Sequence, residues 1–316
     1  LEGMVLLQNG GALPLAAGAR VAVVGALADV ANTGDHGSSD VPYEGVVTPL
    51  AGLAARLDVT PVLTDTPDAD QLAAIGAADA AIVVVGLTWE DEGEGIVPSG
   101  PTDRADLALP GAELIRAVAT SQPRTIVVLE GSGPMWVEDV VDRVDALVMA
   151  WYPGQEGGRA LADLLLGDAD FTGRLPVVWP AAEDQLPPFD GASLQVTYGP
   201  LHGWRWMEAQ GETPRFPFGF GLSYAACSVD EADVEGWPAA TITGRAPGCP
   251  VVFAWADDGD GRRLAGFTRP AASGAFTVTI DPHTLATWDD GWSVGRGPWT
   301  LEIGVVGDTI RRRPRP

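Results

Sequence analysis

A chain of 316 residues has length for about two domains, and an apolar share of 46% excludes a wholly disordered polypeptide. All 19 basic residues are arginine and face 43 acidic ones, a net charge of −24. Phosphate neutralisation needs a basic face, so nucleic acid is excluded as a partner, and the same sign argues against anionic membrane surfaces. The longest apolar run, 80–87, has the length of a strand and falls far short of the roughly 20 residues of a membrane span. Arg311, Arg312, Arg313 and Arg315, the one basic cluster, read as a solvated tail.

In chain order, residues 1–19 read as a linker from a preceding domain. From 20 to 180, short β-rich runs alternate with helical stretches. The runs at 21–25, 60–63, 81–85, 125–129 and 146–150 are continuously apolar, as strands covered on both faces should be. Between them, 49–57, 68–78, 110–120 and 156–166 carry apolar residues at helical spacing. This alternation predicts an α/β fold with a mainly parallel sheet sandwiched by helices. Residues 181–226, rich in Pro, Gly and aromatics, read as a connecting segment without a helix. Beyond 227, β-forming runs at 250–255, 274–280 and 299–305 predict a small antiparallel sandwich. Cys227 and Cys249 lack metal-ligand spacing and read as buried or incidental thiols. Location stays open, with the cytoplasm slightly favoured.

In a doubly wound sheet, ligands bind in loops at the carboxyl ends of the strands. The run Gly86-Leu87-Thr88-Trp89-Glu90-Asp91-Glu92-Gly93-Glu94-Gly95 sets four carboxylates among glycines directly after an apolar strand. It reads either as a solvated acidic turn or as a general acid/base carboxyl on a flexible loop. Like-charge repulsion among Glu90, Asp91, Glu92 and Glu94 gives a reason for one of them to retain a proton near neutral pH. Trp89 beside them could stack on a sugar ring. The run Gly34-Asp35-His36-Gly37-Ser38-Ser39-Asp40 combines small residues with hydrogen-bonding groups at Asp35, His36 and Ser38. It lacks the dinucleotide fingerprint, and a chain without lysine has no phosphate-loop lysine. His36, His202 and His283 are too scattered for a metal site, and no serine sits in a nucleophile elbow. No cofactor or metal is implied.

These segments, with Glu2-Gly3-Met4-Val5-Leu6-Leu7-Gln8-Asn9 at the start, Asp103-Arg104, Leu109-Pro110-Gly111, Ala150-Trp151-Tyr152-Pro153-Gly154-Gln155-Glu156-Gly157-Gly158, Gly173-Arg174-Leu175-Pro176 and Phe216-Pro217-Phe218-Gly219-Phe220-Gly221, resemble in collinear order the carboxyl-terminal part of glycoside hydrolase family 3. Residues 227–316 are similar to the fibronectin type III-like module that ends many members. The resemblance implies retaining hydrolysis of terminal β-glucosides, with β-glucosidase the family's commonest activity. In that chemistry one carboxylate attacks the anomeric carbon and a second, about 5 Å away, acts as acid and then base. The family places the nucleophile on an amino-terminal (β/α)8 barrel and the acid/base on a loop of the α/β domain. The implied partners are therefore a β-glucoside or oligosaccharide and a barrel, in the same or another chain. Both Glu92 and Glu94 precede a glycine, and the Gly-Glu-Gly pattern favours Glu94. Asp35, His36, Ser38 and Trp89 would flank the sugar. A non-catalytic carbohydrate-binding or structural module is the alternative reading.

Overall fold

The computed structural model describes residues 1–34, 41, 43–92, 106–188, 193–197, 199–259, 261–295 and 298–314. Asp35, His36, Ser38 and Glu94 lie outside the described residues. The chain forms two compact units, Leu1–Arg174 and Leu175–Pro316.

The first unit is built on six strands: β1 (Val5–Asn9), β2 (Arg20–Val24), β3 (Asp58–Val62), β4 (Ala80–Gly86), β5 (Thr125–Glu130) and β6 (Ala146–Trp151). They lie in the order β1-β6-β5-β4-β2-β3. All neighbours run parallel except β1, which pairs antiparallel with β6. Every residue of β4 and β5 is buried, which is why these strands lack the alternation of a half-exposed sheet. β3 departs from the expectation of cover on both faces. It is an edge strand with Asp58, Thr60 and Pro61 exposed, and the edge is where a proline can sit without removing a ladder hydrogen bond.

The helices that cross between strands are α1 (Pro49–Ala54) and α2 (Ala69–Ala77), with the single turn α3 (Trp89–Glu92) and then α4 (Ala112–Ser121), and α5 (Gly157–Leu166) follows β6. The chain moves outward from β2 to β3 and then back past β2 to β4 and β5, so right-handed crossovers put their helices on opposite faces. α1 packs on α5 and α2 on α4. Local sequence sets the helix starts: Thr48 Oγ1 accepts from Ala51 N at 3.2 Å, and Asp68 and Gln71 form a reciprocal capping box. α1 and α5 meet at glycines. A Cβ on Gly52 would lie 2.0 Å from the carbonyl oxygen of Gly158.

In the second unit, β7 (Glu231–Glu235), β8 (Thr241–Arg245) and β11 (Ala275–Thr279) form one antiparallel sheet, in the order β11-β8-β7. A second sheet, in the order β10-β9-β14-β15, joins β9 (Val252–Asp257), β10 (Arg262–Thr268), β14 (Thr300–Val305) and β15 (Asp308–Arg312). Ile242, Phe276 and Val278 of the first sheet share one core with Val252, Ala254, Leu301 and Ile303 of the second, which makes a small sandwich. β12 (Ala286–Trp288) and β13 (Trp292–Val294) form a separate hairpin.

Two sequence expectations are corrected here. Cys227 and Cys249 are joined in a disulfide with Cα atoms 4.6 Å apart, not present as thiols. The segment read as free of helix contains α6 (Gly203–Gln210), whose Trp206 Nε1 donates to Gln185 O at 3.0 Å. α6 escapes a periodicity reading because it opens on glycine and buries one residue, Met207, among its eight. A further strand, β1, lies within residues 1–19, which the sequence presents as a linker. Among the described residues no helix is long and apolar enough to cross a membrane.

Candidate functional site

The carboxyl ends of β2, β4, β5 and β6 share one edge of the sheet, and the unusual segments of the sequence leave from it. β4 must end in glycine. Gly86 has φ +144°, and a Cβ there would lie 1.9 Å from the carbonyl oxygen of Glu130. That carbonyl accepts from Leu87 N at 2.8 Å, so the chain leaves the sheet still tied to β5.

α3 then turns on Thr88. Asp91 Oδ2 accepts from Thr88 N at 2.8 Å and from Thr88 Oγ1 at 3.0 Å, while Asp91 N and Glu92 N donate to Thr88 O. Glu92 is held from the neighbouring strand ends. Its Oε1 accepts from Ser132 Oγ at 2.6 Å, and its Oε2 accepts from Ser132 N at 3.1 Å and from Tyr152 Oη at 2.5 Å. Asp91 and Glu92 are thus bound to different donors. Trp89 opens the turn and is 38% exposed.

Tyr152 reaches Glu92 through an irregularity at the end of β6. The register against β5 slips between Leu129 and Glu130, and Trp151 adopts φ +60°. A bulge of this kind re-aims the chain at a sheet end. Trp151 Nε1 donates to Gly3 O at 2.9 Å, and Gly131 N donates to Trp151 O at 3.2 Å, which holds the unusual conformation.

Below this surface lies a polar node that sequence reasoning missed. Glu130, the last residue of β5, is 1% exposed and Asn32 is 6% exposed. Asn32 Nδ2 donates to Leu87 O at 3.0 Å and to Glu130 Oε2 at 3.1 Å. Burial pushes the Glu130 carboxyl up to about 8, and the Asn32 hydrogen bond pulls against that rise. Glu130 Oε1 has no partner among the described residues. A single charged residue closing an otherwise apolar strand is the sequence signal that could have drawn attention to it.

Beside the node, where the chain order reverses between β2 and β4, is a pocket of 210 Å³ bordered by Leu27, Val30, Asp65, Gly86, Thr88 and Gly111. This is the crevice in which doubly wound sheets bind ligands. It falls below the roughly 300–1,000 Å³ of enclosed ligand pockets. No group of three or more His, Cys, Asp or Glu residues is arranged to hold a metal among the described residues.

Of the residues singled out from sequence, the described part of the site therefore contains Glu92 and Trp89, to which the structure adds Asn32, Glu130, Ser132 and Tyr152. Known proteins share this fold. The chain is 31% identical to a beta-glucosidase of Rhizobium radiobacter, an alignment covering 79% of this chain and 34% of the relative. It is 29% identical to a probable beta-glucosidase L of Emericella nidulans over 98% of this chain and 51% of the relative. Among solved structures, the beta-D-glucoside glucohydrolase of Trichoderma reesei superposes with a TM-score of 0.87 at 25% identity, covering 98% of this chain and 53% of that one. A GH3 beta-glucosidase of Bifidobacterium adolescentis gives 0.84 at 27%, with coverage of 98% and 51%. The chain thus spans between a third and about half of the length of these relatives. Residues 4–224 match the model of the glycosyl hydrolase family 3 C-terminal domain, and with that match the chain belongs to glycoside hydrolase family 3.

Proposed function

We propose that this chain supplies the acid/base half of a retaining, exo-acting β-glycosidase, of β-glucosidase type, that hydrolyses terminal β-D-glucosides. The observation that carries the reading is the binding of Glu92. Both of its oxygens accept hydrogen bonds, from Ser132 and from Tyr152, as befits an anchor for the acidic segment and not its proton donor. Glu94, two residues on and flanked by Gly93 and Gly95, is then the acid/base. It protonates the departing glycosidic oxygen and afterwards takes a proton from the attacking water. Asp35, His36, Ser38 and Trp89 flank the sugar. The attacking carboxylate comes from a (β/α)8 barrel in the same or another chain, so the 316 residues alone do not turn over glycosides.

The experiment uses this chain joined to its barrel, an aryl β-glucoside and azide. Glu94→Gln should lower turnover by about 10²–10⁴-fold, the usual contribution of a general acid/base, and azide should restore it, because azide attacks the glycosyl-enzyme without needing a base. Glu92→Gln should cost less and should not respond to azide. Unchanged turnover in Glu94→Gln overturns the assignment and favours a non-catalytic module.

A further inference from the structure

Three chain segments meet at the Asn32–Glu130 pair, and two of them lead into the candidate site. Asn32 follows β2, Leu87 opens the acidic segment after β4, and Glu130 ends β5 two residues before Ser132. The acidic segment is fastened at both of its described ends, at Leu87 by Glu130 O and the Asn32 amide, and at Glu92 by Ser132 and Tyr152. We propose that the buried Glu130 carboxyl is the positioning group that locks the Asn32 amide onto Leu87 and so holds the start of the acidic segment, and that ionising this carboxyl opens the lock. The proposal rests on the reading of that segment as the acid/base loop.

The geometry explains why a carboxyl, and a neutral one, serves here. The Asn32 amide has two hydrogens to place, and Leu87 O and Glu130 Oε2 take them. Oε1 is left to carry the proton. A carboxylate at 1% exposure, with one oxygen lacking any donor, would be relieved only by admitting water, which separates Asn32 from Leu87. Among the described residues, titratable groups close to the strand ends on this edge are Asp29 after β2, Asp65 after β3, Glu90, Asp91 and Glu92 after β4, and Tyr152 after β6. Asp29 is hydrogen-bonded by Thr48, Asp65 by Ala26 N, Asp91 by Thr88 and Glu92 by Ser132 and Tyr152. Among the described residues no cation bonds to Glu130. With the carboxyl lifted from the usual 4.5 to about 8, the folded chain keeps a proton that the unfolded chain has lost between those values. The stabilisation is therefore complete below about 4.5, declines as pH rises and is gone above about 8.

Hydrogen exchange of the whole chain, read by mass spectrometry at pH 6 and pH 9 and corrected for intrinsic rates, tests this without any turnover assay. In the wild type, protection of residues 87–92 should fall at least tenfold between the two pH values, while the strand segment 81–85 stays protected. Glu130→Gln, which keeps an acceptor for Asn32 and cannot ionise, should match the wild type at pH 6 and hold its protection at pH 9. Glu130→Leu should lose the protection of 87–92 at both values. Should that variant not fold, Asn32→Ala, which removes the bridging amide from the other side, should show the same loss. A pH-dependent loss in Glu130→Gln equal to that of the wild type, or full protection in Glu130→Leu or Asn32→Ala, overturns the proposal. Because turnover is not measured, these results are independent of whether Glu94→Gln fails or succeeds in the azide experiment.

Discussion

Tyr152 shows how much of a site depends on where a backbone turns and how little on which residues are acidic. Its hydroxyl reaches Glu92 Oε2 only because the β6 register slips and Trp151 takes a left-handed conformation. Hydrogen bonds to a carboxylate are worth about 1.5–3 kcal/mol. Tyr152→Phe leaves Ser132 N on the same oxygen, so the folded chain should lose about 1 kcal/mol in urea denaturation. On the proposed acid/base role of the segment, the larger effect belongs to geometry: in the chain joined to its barrel kcat should fall by about tenfold, with KM changing less, as expected when a reacting group is displaced by a fraction of an ångström. An unchanged kcat would mean that the hydroxyl does not position the segment. The acidic segment itself was legible in sequence, because glycines and clustered carboxylates after an apolar strand are a local pattern. The Asn32–Glu130 bond was not. Its partners are 98 residues apart, and nothing local says that the side chain closing β5 turns into the core.

At the scale of the element, the five parallel strands were readable because burial on both faces writes itself as unbroken apolar runs in four of them. The exceptions are instructive. β3 is an edge strand whose pattern is mixed, β1 pairs only with β6 and is recognisable only by that pairing, and α6 owes its position to Trp206 and Met207 more than to a helical stripe. The α1–α5 contact offers an element-scale test. Gly52 faces Gly158 so closely that an added Cβ would sit 2.0 Å from a carbonyl oxygen, and backbone cannot swing aside as a side chain can. Alanine is the better helix former by about 1 kcal/mol, yet Gly52→Ala should destabilise the first unit by about 1–3 kcal/mol, the typical cost of overpacking. Gly3→Ala, in the same unit, where a Cβ meets nothing within 4 Å, is the control. Thermal denaturation of both variants decides it, and equal midpoints would show that the helices yield without cost.

For the molecule as a whole, the division into two units, each with its own core, changes what a stability measurement reports. Both cysteines of the chain belong to the second unit and are bonded to each other, so a reducing agent acts on that unit alone. The pairing could not be read from spacing, since a separation of 22 positions suits a loop, a hairpin or no contact equally well. Closing such a loop restricts the unfolded chain by about 3 kcal/mol. For a unit of this size each kcal/mol moves the midpoint by about 2–4 °C. Calorimetry with and without dithiothreitol should therefore lower the midpoint of the second unit by about 6–12 °C, and a Cys227→Ser/Cys249→Ser chain should show the lowered value with no further response to reductant. The first unit, having no cysteine, serves as the internal reference. A second-unit transition indifferent to reductant, in a chain whose thiols are shown to have been released, would mean that the sandwich core of Ile242, Phe276, Leu301 and Ile303 sets the stability of that unit and that the covalent link adds nothing to it.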